Sequence, residues 1–377
     1  MRDYARATGL EPAGDPPRRY LWTDAFAVCT YIGLFRKTGK TDCRELALRL
    51  ISQVHHTLGR HREDDRRTGW ISGLSPIEGE KHPTAGGLRI GKTQPERGAA
   101  EPYNEQREWD RDGQYYHYLT RWMHALSLTA RVTGNPIYGT WAVELARTAH
   151  ARFTYLHPPG ALKKMYWKMS IDLTHPLVLS MGQHDPLDGL VTCRELQLRA
   201  ETVTQETQPV LGREITELAD IGRGLPLATS DPLAIGSLLF DALRISRLAV
   251  RGGPVSPELL ELVMDSAVNG LESFVRTGSL ERPARHRLAF RELGLSIGLA
   301  AAERLPFWIR DNPHLSHRTG PLQSRLEELG EYVTLKEKIE EFWLDGGNCK
   351  AVTWTEHHDI NTVMLATSLA PDGFLDM

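Results

Sequence analysis

The chain lacks the features that would commit it to a membrane, a disulfide frame or a nucleic acid. No apolar run approaches the ~20 residues needed to span a bilayer, so no membrane partner is expected. The four cysteines (Cys29, Cys43, Cys193, Cys349) lie far apart with no C-x-x-C pair. They are expected to be reduced, mostly buried thiols rather than disulfides or a zinc site. Met1 to Tyr20 carries Arg, Glu, Asp and Pro without an apolar stretch. It is not read as a secretory signal, and the expected location is the cytoplasm. The net charge of −3 gives no global field for nucleic acid. The run His61-Arg62-Glu63-Asp64-Asp65-Arg66-Arg67 is mixed in sign and reads as a solvated face.

Nucleotide and metal signatures are also weak. Gly86 to Thr93 matches G-x-x-x-x-G-K-[ST] by letter, but no strand precedes it and Gln94-Pro95 breaks the helix that a phosphate loop needs. Arg89 and Lys92 could instead face an acidic substrate. No H-E-x-x-H spacing occurs, and no cofactor or metal is assigned.

What is present is an ordinary globular composition over 377 residues, 41% hydrophobic and 25% charged. It is read as a single domain spanning 1–377. Trp22 to Arg36 is apolar on more than one face, and Thr38-Gly39-Lys40 stops it. Thr41 or Asp42 can cap the next segment, whose stripe is Leu46, Leu50, Val54 and Leu58. The unit recurs: Asp112 to Arg131 is apolar, Thr133-Gly134-Asn135-Pro136 turns, and Tyr138 to Phe153 returns with one apolar face. Further apolar helices are predicted from His184-Asp185-Pro186, Asp231-Pro232, Pro283 and Glu356-His357-His358-Asp359. Returns are predicted at about 209–221, 256–276 and 321–343, the last broken in two. Long polar loops occupy 59–109 and 157–183, and no strand pattern of comparable strength appears. The fold class is therefore all-α, five pairs of apolar and amphipathic helices followed by a sixth apolar helix.

This alternation resembles the six-hairpin, (α/α)6-toroid superfamily, which includes glycoside hydrolases, unsaturated glucuronyl hydrolases and the N-acylglucosamine 2-epimerase group. The resemblance covers Trp22 to Leu369 and rests on architecture rather than a diagnostic motif. It departs at the end, where no sixth outer helix follows Leu369. Either the segment before Trp22 fills that place or the ring is incomplete. The resemblance implies a substrate cavity where the inner helices begin. Residues there include Trp22, Asp24, Asp110, Asp112, His184, Asp185 and Asp188, then Asp231, His286, Glu356, His357, His358 and Asp359.

A small carbohydrate substrate suits such a rim, with aromatic faces for sugar C–H surfaces and carboxylates for hydroxyls. Trp109, Tyr115, Tyr116, Trp167 and Lys168 are expected to line the mouth with the residues above. Glycoside hydrolysis needs a carboxylic acid and a second carboxylate. Similarity to the unsaturated glucuronyl hydrolases would pair Asp112 with Asp185 or Asp188. The leading expectation is thus a glycoside hydrolase with Asp112, Asp185, Asp188 and His357 as catalytic candidates. The plainer role for Asp112 and Asp185 is helix capping, which Asp188, inside its helix, fits less well. A second expectation is a sugar epimerase or isomerase using His286 with His357 or His358, because imidazole titrates near neutrality. A third is a non-catalytic sugar-binding or scaffold protein. A metal-dependent or lyase-type reaction, with Glu356 to Asp359 beside His184 and Asp185, is the fourth.

Overall fold

The computed structural model describes residues 1–377 except 15, 99, 157, 159–162, 205–209, 254–255, 311–314, 316–318 and 377. Within the described residues the chain packs as two compact units, residues 2–225 and 226–377.

The first unit holds three helical hairpins. They are α1 (Leu21–Thr38) with α2 (Thr41–Leu58), α3 (Tyr116–Thr133) with α4 (Ile137–Phe153), and α5 (Asp185–Thr204) with α6 (Gly212–Gly222). Helices α1, α3 and α5 lie side by side, and each is packed by its own return helix. Their burial explains the sequence pattern. In α1 every residue from Leu21 to Gly33 is buried, whereas α2 buries one face through Ala47, Leu50, Ile51, Val54 and Leu58. Gly39 ends α1 in the left-handed region (φ 71°), and its N–H donates to the Phe35 carbonyl; Gly134 ends α3 the same way (φ 69°). The segment before Leu21 packs against α1 and α2. The Tyr4 hydroxyl bonds Asp24, and the side chains of Arg49 and Gln53 donate to the carbonyls of Leu10 and Gly9.

The second unit holds α7 (Pro232–Val250) with α8 (Pro257–Arg276). It also holds α9 (Ala289–Ala302) with the broken return α10 (Thr319–Tyr332) and α11 (Leu335–Leu344), and the last long helix α12 (His358–Leu369). Helix α9 lies between α7 and α12. Helices α7 and α9 approach so closely that a Cβ added at Gly236 would sit 2.2 Å from the Gly294 carbonyl oxygen. The hairpin alternation expected of the (α/α)6 class is present in both units, and the all-α class stands. Among the described residues no helix is long and apolar enough to cross a membrane. The four cysteines are free, Cys29 and Cys193 being buried.

Four element boundaries differ from the sequence expectation, each for a local reason. Helix α3 begins at Tyr116 rather than Asp112, because Gln114–Tyr115 is extended and pairs with Lys168–Met169, which pairs in turn with Pro176–Val178. Helix α9 begins at Ala289, and Pro283 is followed by a separate 3-10 turn, Ala284–His286. Helix α2 starts at Thr41, so neither Thr41 nor Asp42 is its cap. Helix α6 begins at Gly212, and Pro209 lies outside the described residues, as do 157 and 159–162 of the second long loop. Asp231 and Ser256 do cap α7 and α8, accepting from the N–H groups of Ala234 and Leu259.

Candidate active site

Two buried aspartates, Asp112 shortly before α3 and Asp185 at the first residue of α5, have opposite surroundings. Asp112 is 0% exposed and is met from all sides. Its Oδ2 accepts from Arg89 Nη1 at 2.9 Å and Arg62 Nη1 at 3.3 Å. Its Oδ1 accepts from the backbone N–H groups of Gly91 (2.9 Å), Gly113 (3.1 Å) and Lys92 (3.3 Å). The stretch with phosphate-loop letters therefore does cradle an anion with its amides, but the anion is the protein's own carboxylate. With every lone-pair direction occupied, Asp112 fastens the 59–93 segment to the residues leading into α3. That is a different position from the helix-capping and acid/base roles expected for it.

Gln114 knits the same seam. Its side chain accepts from Leu88 N (2.8 Å) and donates to the carbonyls of Gly86 (3.0 Å) and Ile171 (2.6 Å).

Asp185 is 5% exposed, yet its Oδ2 has no hydrogen-bond partner. It is the first residue of α5 rather than the residue before it, and the capping role expected for it is not filled. Its carboxylate lies over Gly182, where a Cβ would come within 2.3 Å of Oδ2. Its Oδ1 is 3.7 Å from Nδ1 of His117, which stands in the first turn of α3. Burial, reinforced by the negative charge of Asp188 and opposed by Arg121, pushes the Asp185 carboxyl up to about 8. Burial brings the His117 imidazole down to about 4; Asp188 works against that shift and Arg121 with it. Near neutral pH the pair is a protonated carboxylic acid beside a neutral imidazole.

Asp188, one turn further along α5, is held differently. It accepts from Arg121 Nη1 at 3.1 Å and from the Thr120 hydroxyl. Three side chains of α3 (His117, Thr120, Arg121) thus meet two of α5.

Aromatic rings extend from His117. It stacks on Tyr115 (centroids 5.4 Å apart) and meets Tyr118 edge-on (4.8 Å). Tyr118 shares a 2.7 Å hydroxyl hydrogen bond with Tyr20 and lies 6.3 Å from Trp22. On the other side Tyr115 leads to Trp167 (5.1 Å) and on to Trp109 (4.9 Å), which is 47% exposed.

The remaining sequence candidates divide. Trp22, Trp109, Tyr115 and Trp167 belong to this wall. Tyr116 is buried beneath it against Phe153. Asp24 is buried as an anchor, bonded by Tyr4 and by the Tyr20 N–H (3.0 Å). Lys168 is buried with its Nζ on the carbonyls of Glu108 (2.7 Å) and Arg111 (2.8 Å) and on the Glu108 carboxylate (3.0 Å). That fixes it as a strut. Asp110 is exposed, and His184 is half-buried beside Asp185. In the second unit His286, Glu356 and His358 are exposed, and His357 lies edge-on to Phe290 at 5.5 Å. His117, Thr120, Arg121, Tyr20 and Tyr118 were not among the expected site residues. The signal was the Tyr-His-Tyr run at the start of a helix apolar on both flanks.

No protein-family model matches the chain, and no curated protein matches it. Among solved structures, cellobiose 2-epimerase from Spirochaeta thermophila DSM 6192 is similar at 13% identity and a TM-score of 0.48, over 95% of this chain and 87% of that one. A sugar epimerase from a ruminal bacterium is similar at 9% identity and a TM-score of 0.45, over 93% and 87%. At that distance the functional reading rests on this chain's own side chains.

Proposed function

We propose that the protein is a carbohydrate-processing enzyme of the epimerase or isomerase type, acting by proton transfer between His117, Asp185 and a sugar. The observation that carries this reading is the 3.7 Å approach of the His117 imidazole to the buried Asp185 carboxyl at the foot of an aromatic wall, where burial favours the neutral form of each group. His117 Nε2, the nitrogen turned from Asp185, takes the proton from the carbon beside the sugar carbonyl. Asp185 gives its proton to the carbonyl oxygen, and an enediol forms. Return of the proton from His117 to the neighbouring carbon, with the enediol's other hydroxyl giving its proton back to Asp185, gives an isomer. Return to the same carbon after the enediol has turned its other face to His117, with the first hydroxyl reprotonating Asp185, gives an epimer. The aromatic rings offer stacking surface for the sugar's C–H faces.

This reading displaces the glycoside hydrolase favoured from sequence. A hydrolase needs a free carboxylate opposite the acid. Here Asp112 has all its acceptor sites filled, and Asp188 is engaged by Arg121 and Thr120. The late histidines His286, His357 and His358 are not required by it.

The test is incubation in D2O with D-mannose, D-glucose and lactose, followed by NMR of the recovered sugars. Deuterium at the carbon next to the carbonyl, lost in His117→Asn, is the expected result. A new reducing end from lactose without deuterium uptake would return the reading to hydrolysis. Binding with neither change would leave a non-catalytic sugar-binding protein.

A further inference from the structure

Lys92 is the half-buried lysine that makes no ion pair among the described residues. The other lysines are either exposed or paired, as in Lys163 with Glu217, Lys168 with Glu108 and Lys336 with Glu340. Its Nζ stands 5.5 Å from the centre of the Tyr20 ring, the ring that bonds Tyr118 and through it reaches His117. The carboxylates nearest in charge do not answer it. Asp112 is surrounded by Arg62, Arg89 and three amides, and Asp110 is exposed and acts on Lys92 only through its field. Lys168 adds a second ammonium to the same neighbourhood, already saturated by its own three oxygens. Asp188 is balanced by Arg121. The wall beside His117 therefore carries a positive charge without a partner, partly desolvated and positioned over an aromatic face. An ammonium in that state gains most from an anion brought by a ligand.

We propose that the carbohydrate taken by this site carries an anionic group, a carboxylate or a phosphate ester, received by Lys92. The proposal rests on the sugar reading above and narrows its substrate class to acidic sugars. The anion sits beyond Tyr20 and Tyr118, while the carbonyl end lies against His117 Nε2 and the unpartnered Oδ2 of Asp185.

The experiment is a binding titration, independent of turnover, following tryptophan fluorescence with D-glucose, D-glucuronate and D-glucose 6-phosphate. It uses the full chain and its Lys92→Met and Lys92→Arg variants. The expected result is that one of the two acidic sugars binds at least about tenfold more tightly than glucose. Lys92→Met should lose that factor and Lys92→Arg should keep it. Which acidic sugar gains decides between carboxylate and phosphate. Equal affinity for all three sugars, or a preference that survives Lys92→Met, overturns the proposal and leaves the sugar reading standing. Failure of all three to bind also overturns the proposal, while the sugar reading is judged by the deuterium exchange above.

Discussion

Asp112 and Asp185 are both buried and stand near the starts of adjacent core helices, but one is saturated and the other is not. Five donors surround Asp112, and one oxygen of Asp185 has none. Burial by itself therefore says little about what a carboxylate does. A buried charge with every lone pair met is held in place and contributes to folding. A buried carboxyl left short of partners keeps its proton and is available to a ligand.

Substitutions can break or sharpen this contrast. The largest effect is expected from Asp185→Asn or His117→Asn, each lowering turnover by about 10²- to 10⁴-fold while the folded state survives. Steady-state kinetics with a melting curve on the same sample reads both. Asp112→Ala should do the reverse. It leaves Arg89 with carbonyl acceptors alone and Arg62 with Asp64 and two carbonyls. The cost is on the order of 3 kcal/mol of stability, measurable by urea denaturation. A stable Asp112→Ala protein with no activity would sink the division of labour.

Gly182→Ala comes next. Its Cβ would fall 2.3 Å from Asp185 Oδ2 and force the carboxyl to shift, which should cost up to about 100-fold in turnover with little change in melting.

The last test is in pH. Asp185 is raised from 3.8 to about 8 on folding, so the folded state holds a proton that the unfolded state has released. Its stabilising influence is complete below about pH 4 and is lost as pH rises through about 8. Below about pH 6.5 the depressed His117 offsets that decline, since its unfolded form binds a proton that its folded form does not. Denaturation of wild type at pH 5, 7 and 9 should therefore show the loss mainly between 7 and 9, and Asp185→Asn should remove it. Activity should fall on the alkaline side with the same group, and on the acid side as His117 gains a proton near 4.

The helical frame was legible in the sequence because each core helix is apolar on several faces and each return helix on one. The glycines that end α1 and α3 were legible because the left-handed turn favours that residue. The roles of the aspartates were not. Arg62 and Arg89 reach Asp112 across 50 and 23 residues of polar loop, a distance over which no periodicity survives. The short pairing of Gln114–Tyr115 with Lys168–Met169 was invisible for a related reason, since two residues cannot display a strand's alternation. It moved the start of α3 past Asp112 and placed His117, instead of an aspartate, in the first turn.

The amide cradle around Asp112 also bears on how this half of the molecule comes apart. The segment from Arg62 to Lys92 and the start of α3 share one ion, so neither can detach without exposing charge that the other neutralises. They should open together in hydrogen exchange, as a single cooperative block that includes His117. The long insertion before α3 is thus an integral brace: a cut within it should loosen the candidate proton-transfer pair before it melts the helices behind.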